Sequence, residues 1–557
     1  MKKLLAATLA LVMVLSLFAC TGPADDKTTV AGDDKTTVAG DDKTTAGATE
    51  GTTEAVDDSV YPIVKEGDDP ITIKVVTITP DTTVGEERAI WKKIEEVTGI
   101  KIEWEYIDEE AKTTYMAQSD KDWPDLFHMS MSASLVNDYG EYGGRFVNYL
   151  EKLDIMPNLA KAFEDYPTAK KVVTLSNGEA YNVPYINKAV TNVASRMFVR
   201  TDLLEELGLE IPKTIEEFKN TLVKGKEKYG KAQWIYNGGF PAGNTTDSVF
   251  PIYGAFGSYT NMSFDVDENG KVVYAPVSNQ MKLFYTFMNE LFEEGLIHQE
   301  YKTIDAATKV DYEKSNCLYL YAASERMTTD DFADGKFHIG AVGALSSEYD
   351  NTLTLPGRIS SANAAGFYIN ANSPYVDEIC KLVDIAYATE EVVEGSGLYG
   401  ISFTWGLEGV HWEYSGDSYK ELTPESYKGS HNTFISQEVR HSSKGGRNDF
   451  YSSMVTLTPG NGQARQQAMV DNIWPYVQDE DDVFPIAQLV FTEDEQEVIG
   501  QYYTEINTYA GQMQTEFIQG ISDIDAKWDE YVSNLEKMGL ADVLAAYQAA
   551  YDRWMAK

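Results

Sequence analysis

The sequence predicts an α/β protein built from more than one lobe, with a helical C-terminal region. Three observations predict it. The chain has 557 residues, too many for a single compact core. Its apolar part opens with a strand–helix–strand pattern over 71–107, and residues 493–554 are almost wholly helical in periodicity. With 43% hydrophobic and 12% aromatic residues, there is enough apolar surface to fill such cores.

Along the chain, residues 1–20 come first: Lys2 and Lys3, an apolar run from Leu4 to Phe18, then Ala19-Cys20. This is the pattern of a secretory signal, too short and wrongly flanked for a permanent span. Its end, Leu17-Phe18-Ala19-Cys20, resembles a bacterial lipobox, which implies cleavage after residue 19 and an acylated (palmitate-bearing) Cys20. DDKTTVAG follows at 25–32 and 33–40, then DDKTTAG at 41–47 and polar sequence to about Asp69. Nothing there can form a core, so 20–69 is expected to be a tether with a mean span on the order of 40 Å.

Ordered sequence starts at Ile71. "ITIKVVTI" (71–78) reads as a strand, and Ile90, Trp91, Ile94 and Val97 share one helical face. "IKIEWEYI" (100–107) alternates with period two. A βαβ unit results, which implies a parallel sheet. The loop from Thr77 to Thr83 leaves the carboxyl end of the first strand, where ligands of open α/β sheets sit. Further on, Thr214 and Glu217 sit at capping-box spacing ahead of a helix. "DVDENGKVVYAP" (265–276) is a turn into a strand, and "AAGFYINAN" (364–372) is a strand before another helix.

The charge of −42 excludes nucleic acid as a partner, because such a surface repels phosphates. Without residues 1–19 it becomes −44. The tail 25–69 carries −9, which leaves −35 on the folded part. Cys317 and Cys380 have no CxxC relation and read as buried free thiols. The six histidines lack zinc spacing. Asp265-x-Asp267-x-Asn269-Gly270 imitates a calcium loop, but its twelfth position is Pro276 where a bidentate glutamate is required, so a turn is expected. No GxSxG elbow, reactive cysteine setting or phosphate cradle is present, so neither an enzyme nor a cofactor is expected.

Aromatic loops are more informative. "SFTWGLEGVHWEY" (402–414) mixes Phe403, Trp405, His411, Trp412 and Tyr414 with glycines in a non-periodic run. Exposed rings stack on sugar faces while carboxylates accept from hydroxyls. Trp123-Pro124-Asp125, Trp234-Ile235-Tyr236 and Trp474-Pro475-Tyr476 are similar spots. For each of these rings, core packing and ligand contact both stay open at this point.

"DWPDLF" (122–127), "SNGEAYNVPY" (176–185), "RTDLLEELGLEIPKTIEEF" (200–218), "LVDIAYATEE" and "WGLEGVHWEY" (405–414) occur in an order that resembles the solute-binding lipoproteins of bacterial ABC importers. The likeness is to the large oligosaccharide-binding branch of the maltose-binding-like group, from about Ile71 to Trp554. It implies a two-lobe, type II periplasmic-binding-protein-like clamp with a hinge. One lobe would comprise 70–187 plus 355–400, the other 188–354 plus 401–557. It also implies ligand contacts at Trp123 and Asp125, a stacking platform at Trp405 and a hydroxyl acceptor at Glu408. Tyr185, Arg196, Trp234, Tyr253, Trp412 and Trp474 complete the candidate set. Many relatives place an acidic calcium loop where this chain has the basic "VKGKEKYGKAQW" (223–234), so no metal is expected there.

The expected partners are an oligosaccharide, the permease subunits of the importer and, through Cys20, the outer face of a Gram-positive cytoplasmic membrane. The receptor itself is expected to be a monomer. Three alternatives stay open: a receptor for a peptide or other non-sugar solute, a surface carbohydrate-binding protein without a transport role, and a tethered hydrolase.

Overall fold

A computed structural model describes residues 61–79, 83–175, 177–187, 197–236, 249–257, 262–321, 337–355, 362–388, 401–415, 418–428, 431–439, 445–448, 455–457, 461–477, 484–486 and 488–557. The signal segment, Cys20, nearly all of the tether and Arg196 lie outside the described residues.

The expected βαβ unit opens the fold. Strand β1 (Thr72–Ile78) pairs in parallel with β2 (Lys101–Ile107), from Thr72 opposite Lys101 to Ile78 opposite Ile107. Between them runs helix α1 (Ala89–Thr98), which buries Ile90, Trp91 and Ile94 and ends at Gly99 in the left-handed region, φ 74°. Strand β3 (Leu126–Phe127) lies parallel to β1 on its other side, and strand Tyr368–Ile369 adds antiparallel beyond β3.

Two large cores divide the chain. The first gathers Ile73, Trp91, Leu126, Tyr149, Leu159 and Val183 with Phe367, Ile379, Leu382, Phe403, Ile435 and Val439. A smaller aromatic cluster of Val76, Trp123, Phe127, Met129, Phe146 and Tyr368 accompanies it. The second core runs from Met197 to Leu355 and takes up again from Ala468 to Trp554. The resemblance implied that 401–557, and so 401–439, belongs to the second lobe. Instead, Phe403 packs on Trp91 and Phe367, with ring centroids 5.2 and 5.7 Å apart, and Arg88 Nη1 donates to Ser436 O at 2.9 Å. These contacts seat the segment on the first core.

A three-stranded sheet stands at the passages between cores. Strand β4 (Val183–Asn187) is central, flanked antiparallel by strand Ala362–Ala365 and parallel by strand Gly446–Asn448. Three passages result, after 187, between 355 and 362, and after 439, where the resemblance had put the third near 400.

The C-terminal region forms helices Glu493–Ile518, Ile524–Lys537 and Leu540–Met555. Thr492 and Glu495 cap the first reciprocally, satisfying two orphan amides. The inner faces carry Phe517, Tyr531 and Tyr547 into the second core, where Tyr547 stacks on Phe264 at 3.7 Å.

Thr214 Oγ1 caps its helix through Glu217 N at 3.1 Å, while Glu217 reaches Lys213 N at 2.8 Å. Asp267 Oδ1 accepts from Asn269 N and Lys271 N at 2.9 Å each, with Gly270 at φ 74°. That is a tight turn, as the residue types require. Among the described residues, no helix is long and apolar enough to cross a membrane.

Candidate ligand-binding site

The candidate site takes in the carboxyl ends of β1 and β3 and the 402–412 loop, whose Phe403 packs on Trp91 of α1 and on Phe367. After β1 the chain folds back over β2. Gly85 N donates to Tyr106 OH at 2.7 Å, and Tyr106 OH donates to the Glu86 carboxylate. A Cβ on Gly85 would lie 2.5 Å from the Trp104 ring, so only glycine allows this approach. Arg88, 2% exposed, ends the loop. Burial pulls its guanidinium pKa down, while Tyr106 and Glu438 favour the charged form.

The docked loop is rigid for identifiable reasons. Ser402 Oγ accepts from Trp405 N at 3.0 Å. Gly406 sits at φ 89°, and a Cβ there would meet His411 Nδ1 at 2.5 Å. The same Nδ1 accepts from Leu407 N at 2.9 Å. Burial keeps His411 below the usual imidazole pKa, so it stays neutral and can go on accepting.

Trp405 is partly buried and rests edge-on against Tyr419, 5.9 Å between centroids. Tyr419 OH in turn accepts from Gln466 Nε2 at 3.2 Å, on helix Asn461–Asn472, which contributes Ala468 and Met469 to the second core. Trp405 thus packs on the small cluster of Trp412 and Tyr419, and it is Tyr419 that is hydrogen-bonded to a helix of the second core. Glu408, three residues on, is exposed. An amphipathic ring beside an exposed carboxylate can hold the apolar face of a sugar and accept from its hydroxyls.

The other expected residues fall elsewhere. Asp125 is spent on structure: Oδ2 accepts from Lys74 N at 2.8 Å and Oδ1 from Ser373 Oγ at 2.6 Å. Trp123, 7% exposed, stacks on Phe146 at 5.4 Å with the Arg145 guanidinium 5.3 Å from its ring. Both precede β3, at the amino end of a parallel strand and away from the edge where ligands bind. Trp234 packs on Phe218 at 5.5 Å and Tyr253 on Phe284 at 5.6 Å, both inside the second core. Trp412 is 0% exposed and lies perpendicular to Tyr414 at 4.8 Å. Trp234 and Tyr253 fill the second core, and Trp412 fills the small cluster with Tyr419 on which Trp405 and Tyr414 pack. Trp474 is partly buried against the second core. Tyr185, 9% exposed, lies on β4 opposite Asn363 and Gly446 in the connecting sheet.

Sequence reading missed the segment from His128 to Ser132, which leaves the carboxyl end of β3. Its signal was the strand "DLF" itself, whose end must open onto the same edge as β1. His128 is buried there between Trp91 and Phe367, at 5.3 and 4.4 Å. Among the described residues, no group of three or more His, Cys, Asp or Glu could hold a metal.

Two cores joined by a shared three-stranded sheet make a two-lobed α/β protein. The chain belongs to the bacterial extracellular solute-binding protein family, whose model matches residues 79–393. It is similar to the fructooligosaccharide ABC transporter substrate-binding protein FusA of Streptococcus pneumoniae, 25% identical over 497 residues, 84% of this chain and 88% of that one. Among solved structures, FusA in complex with kestose matches with TM-score 0.59 at 22% identity, covering 87% of this chain and 99% of that one. A human-milk-oligosaccharide (HMO) binding, ABC-transporter-associated protein of Bifidobacterium longum infantis matches with TM-score 0.63 at 19% identity, again over 87% and 99%. The fold is that of type II solute-binding proteins.

Proposed function

We propose that this protein is a cell-surface receptor that captures a neutral oligosaccharide between two lobes and delivers it, chemically unchanged, to the permease of an ABC importer. The observation that carries the reading is Trp405, a partly buried ring on a hydrogen-bonded loop, packed on Tyr419, which is hydrogen-bonded to a helix of the second core. The likeness to FusA over 84% of the chain supports an oligosaccharide. The charge of −35 on the folded part disfavours polyuronates. The lobes would be 61–187 with 362–439, and 197–355 with 455–554, closing about the connecting sheet so that ligand is removed from water when it bridges both. Acylated Cys20 and the tether would hold the receptor at the membrane.

Calorimetric titration with kestose and an oligogalacturonate of equal length tests the reading. Kestose should bind and the galacturonate should not. Tighter binding of the galacturonate overturns the charge argument, and cleavage of kestose during the titration overturns the non-enzymatic reading.

A further inference from the structure

The connecting sheet has an irregular centre. Its middle strand, β4, contains Pro184, opposite Ala364 of one neighbouring strand. Proline supplies no N–H to a ladder and is normally confined to edge strands. The Pro184 carbonyl, which proline keeps, accepts from a side chain: Tyr387 OH donates to Pro184 O. The same hydroxyl accepts from Gly446 N at 3.2 Å, at the start of the other neighbouring strand. Gly446 adopts φ 106°, and a Cβ there would stand 2.5 Å from Ala386 O. Strand Gly446–Asn448 thus lies directly against the turn that carries Tyr387, which is itself 0% exposed. One phenol oxygen bonds the strands of the first and third passages between cores.

We infer that Tyr387 is the hinge pin of the clamp, a positioning residue whose hydroxyl bridges the Pro184 carbonyl of one strand and the Gly446 N–H of the other. The inference rests on the two-lobe reading above. A proline-interrupted sheet bends more easily than a continuous one, and the pin restricts that bending to one path. Removing the hydroxyl leaves Pro184 O and Gly446 N without this partner and lets the lobes sample more orientations. Binding must then order a broader ensemble, which weakens affinity.

Tyr149 provides the matched control. It too is 0% exposed in the first core, and its hydroxyl donates to Phe367 O at 3.1 Å, outside the connecting sheet. Tyr387→Phe and Tyr149→Phe should lose similar thermal stability. Only Tyr387→Phe should weaken kestose binding, by about fivefold, within the range of ordinary coupling between sites.

Interlobe distances read the hinge without any sugar. Nitroxides at Glu103→Cys and Glu268→Cys, both exposed, report them by pulsed electron resonance in a Cys20→Ala chain. Cys317 and Cys380, 0% exposed, stay unlabelled. Tyr387→Phe should broaden the distribution and Tyr149→Phe should not. An unchanged distribution in Tyr387→Phe, or equal broadening in both variants, overturns the pin. Failure of the unsubstituted chain to bind kestose would instead overturn the sugar reading, with the distances still deciding the hinge.

Discussion

Replacing Trp405 with alanine removes a partly buried indole of the aromatic loop. Its inner edge packs on Tyr419. On the order of 50 Å² of indole is left for a ligand, which at about 25 cal/mol per Å² corresponds to roughly 1.3 kcal/mol. That loss weakens sugar affinity about ninefold. The loop should keep its shape, because Ser402, Gly406 and His411 hold it without help from the indole. Titration of wild type and Trp405→Ala with kestose, alongside their thermal midpoints, measures both effects. Unchanged affinity with a lowered midpoint would make Trp405 an ordinary packing residue and refute the reasoning.

Asp125→Ala should do the opposite. It removes two hydrogen bonds to a carboxylate and costs about 3 kcal/mol of stability, with kestose affinity unchanged in urea-free buffer; a weakened affinity would return Asp125 to the site. Asp384 gives a pH signature. It is 1% exposed and accepts from Asn158 N, Asn158 Nδ2 and Leu159 N at 3.2, 2.7 and 2.8 Å, yet burial pushes its carboxyl up to about 7. The unfolded carboxyl titrates near ~4, so between these values the folded chain holds a proton the unfolded chain lacks. The resulting stability is complete below about pH 4 and is lost as pH rises through about 7. The urea midpoint of wild type relative to Asp384→Asn should therefore fall from pH 4.5 to 7.5, and a flat difference refutes the assignment. Cys20→Ala should release the protein into the medium, as seen by immunoblot of cells and supernatant; retention on the cells would refute the anchor.

Local signals in the sequence were reliable where the structure is local. The βαβ unit, the Asp267 turn and the C-terminal helices each depend on residues within a few turns of one another. What was not legible depends on distant partners. The placement of 401–439 rests on Phe403 meeting Trp91 and on Arg88 meeting Ser436, contacts separated by more than three hundred residues. Trp234 looked like a loop aromatic because tyrosine and tryptophan suit cores and wet surfaces equally; only the neighbour Phe218 decides. Asp125 has the chemistry of a ligand acceptor, and nothing in "DWPDLF" says that Lys74 and Ser373 already occupy it.

The interleaving of the first core sets the timetable of its folding. Strand β3 ends at Phe127, yet its outer neighbour Tyr368–Ile369 is made some 240 residues later, and the carboxylate that caps helix Pro157–Asp165 comes from Asp384. At about 5–20 residues per second of synthesis, β3 waits roughly 10–50 s for its partner. Through that interval the nascent first lobe exposes an unpaired strand edge and an uncapped helix, while the intervening residues 197–355 already hold most of the second core. The half that begins first therefore stays open until most of the second core has been made, so premature collapse and proteolysis threaten the amino-terminal lobe through that interval.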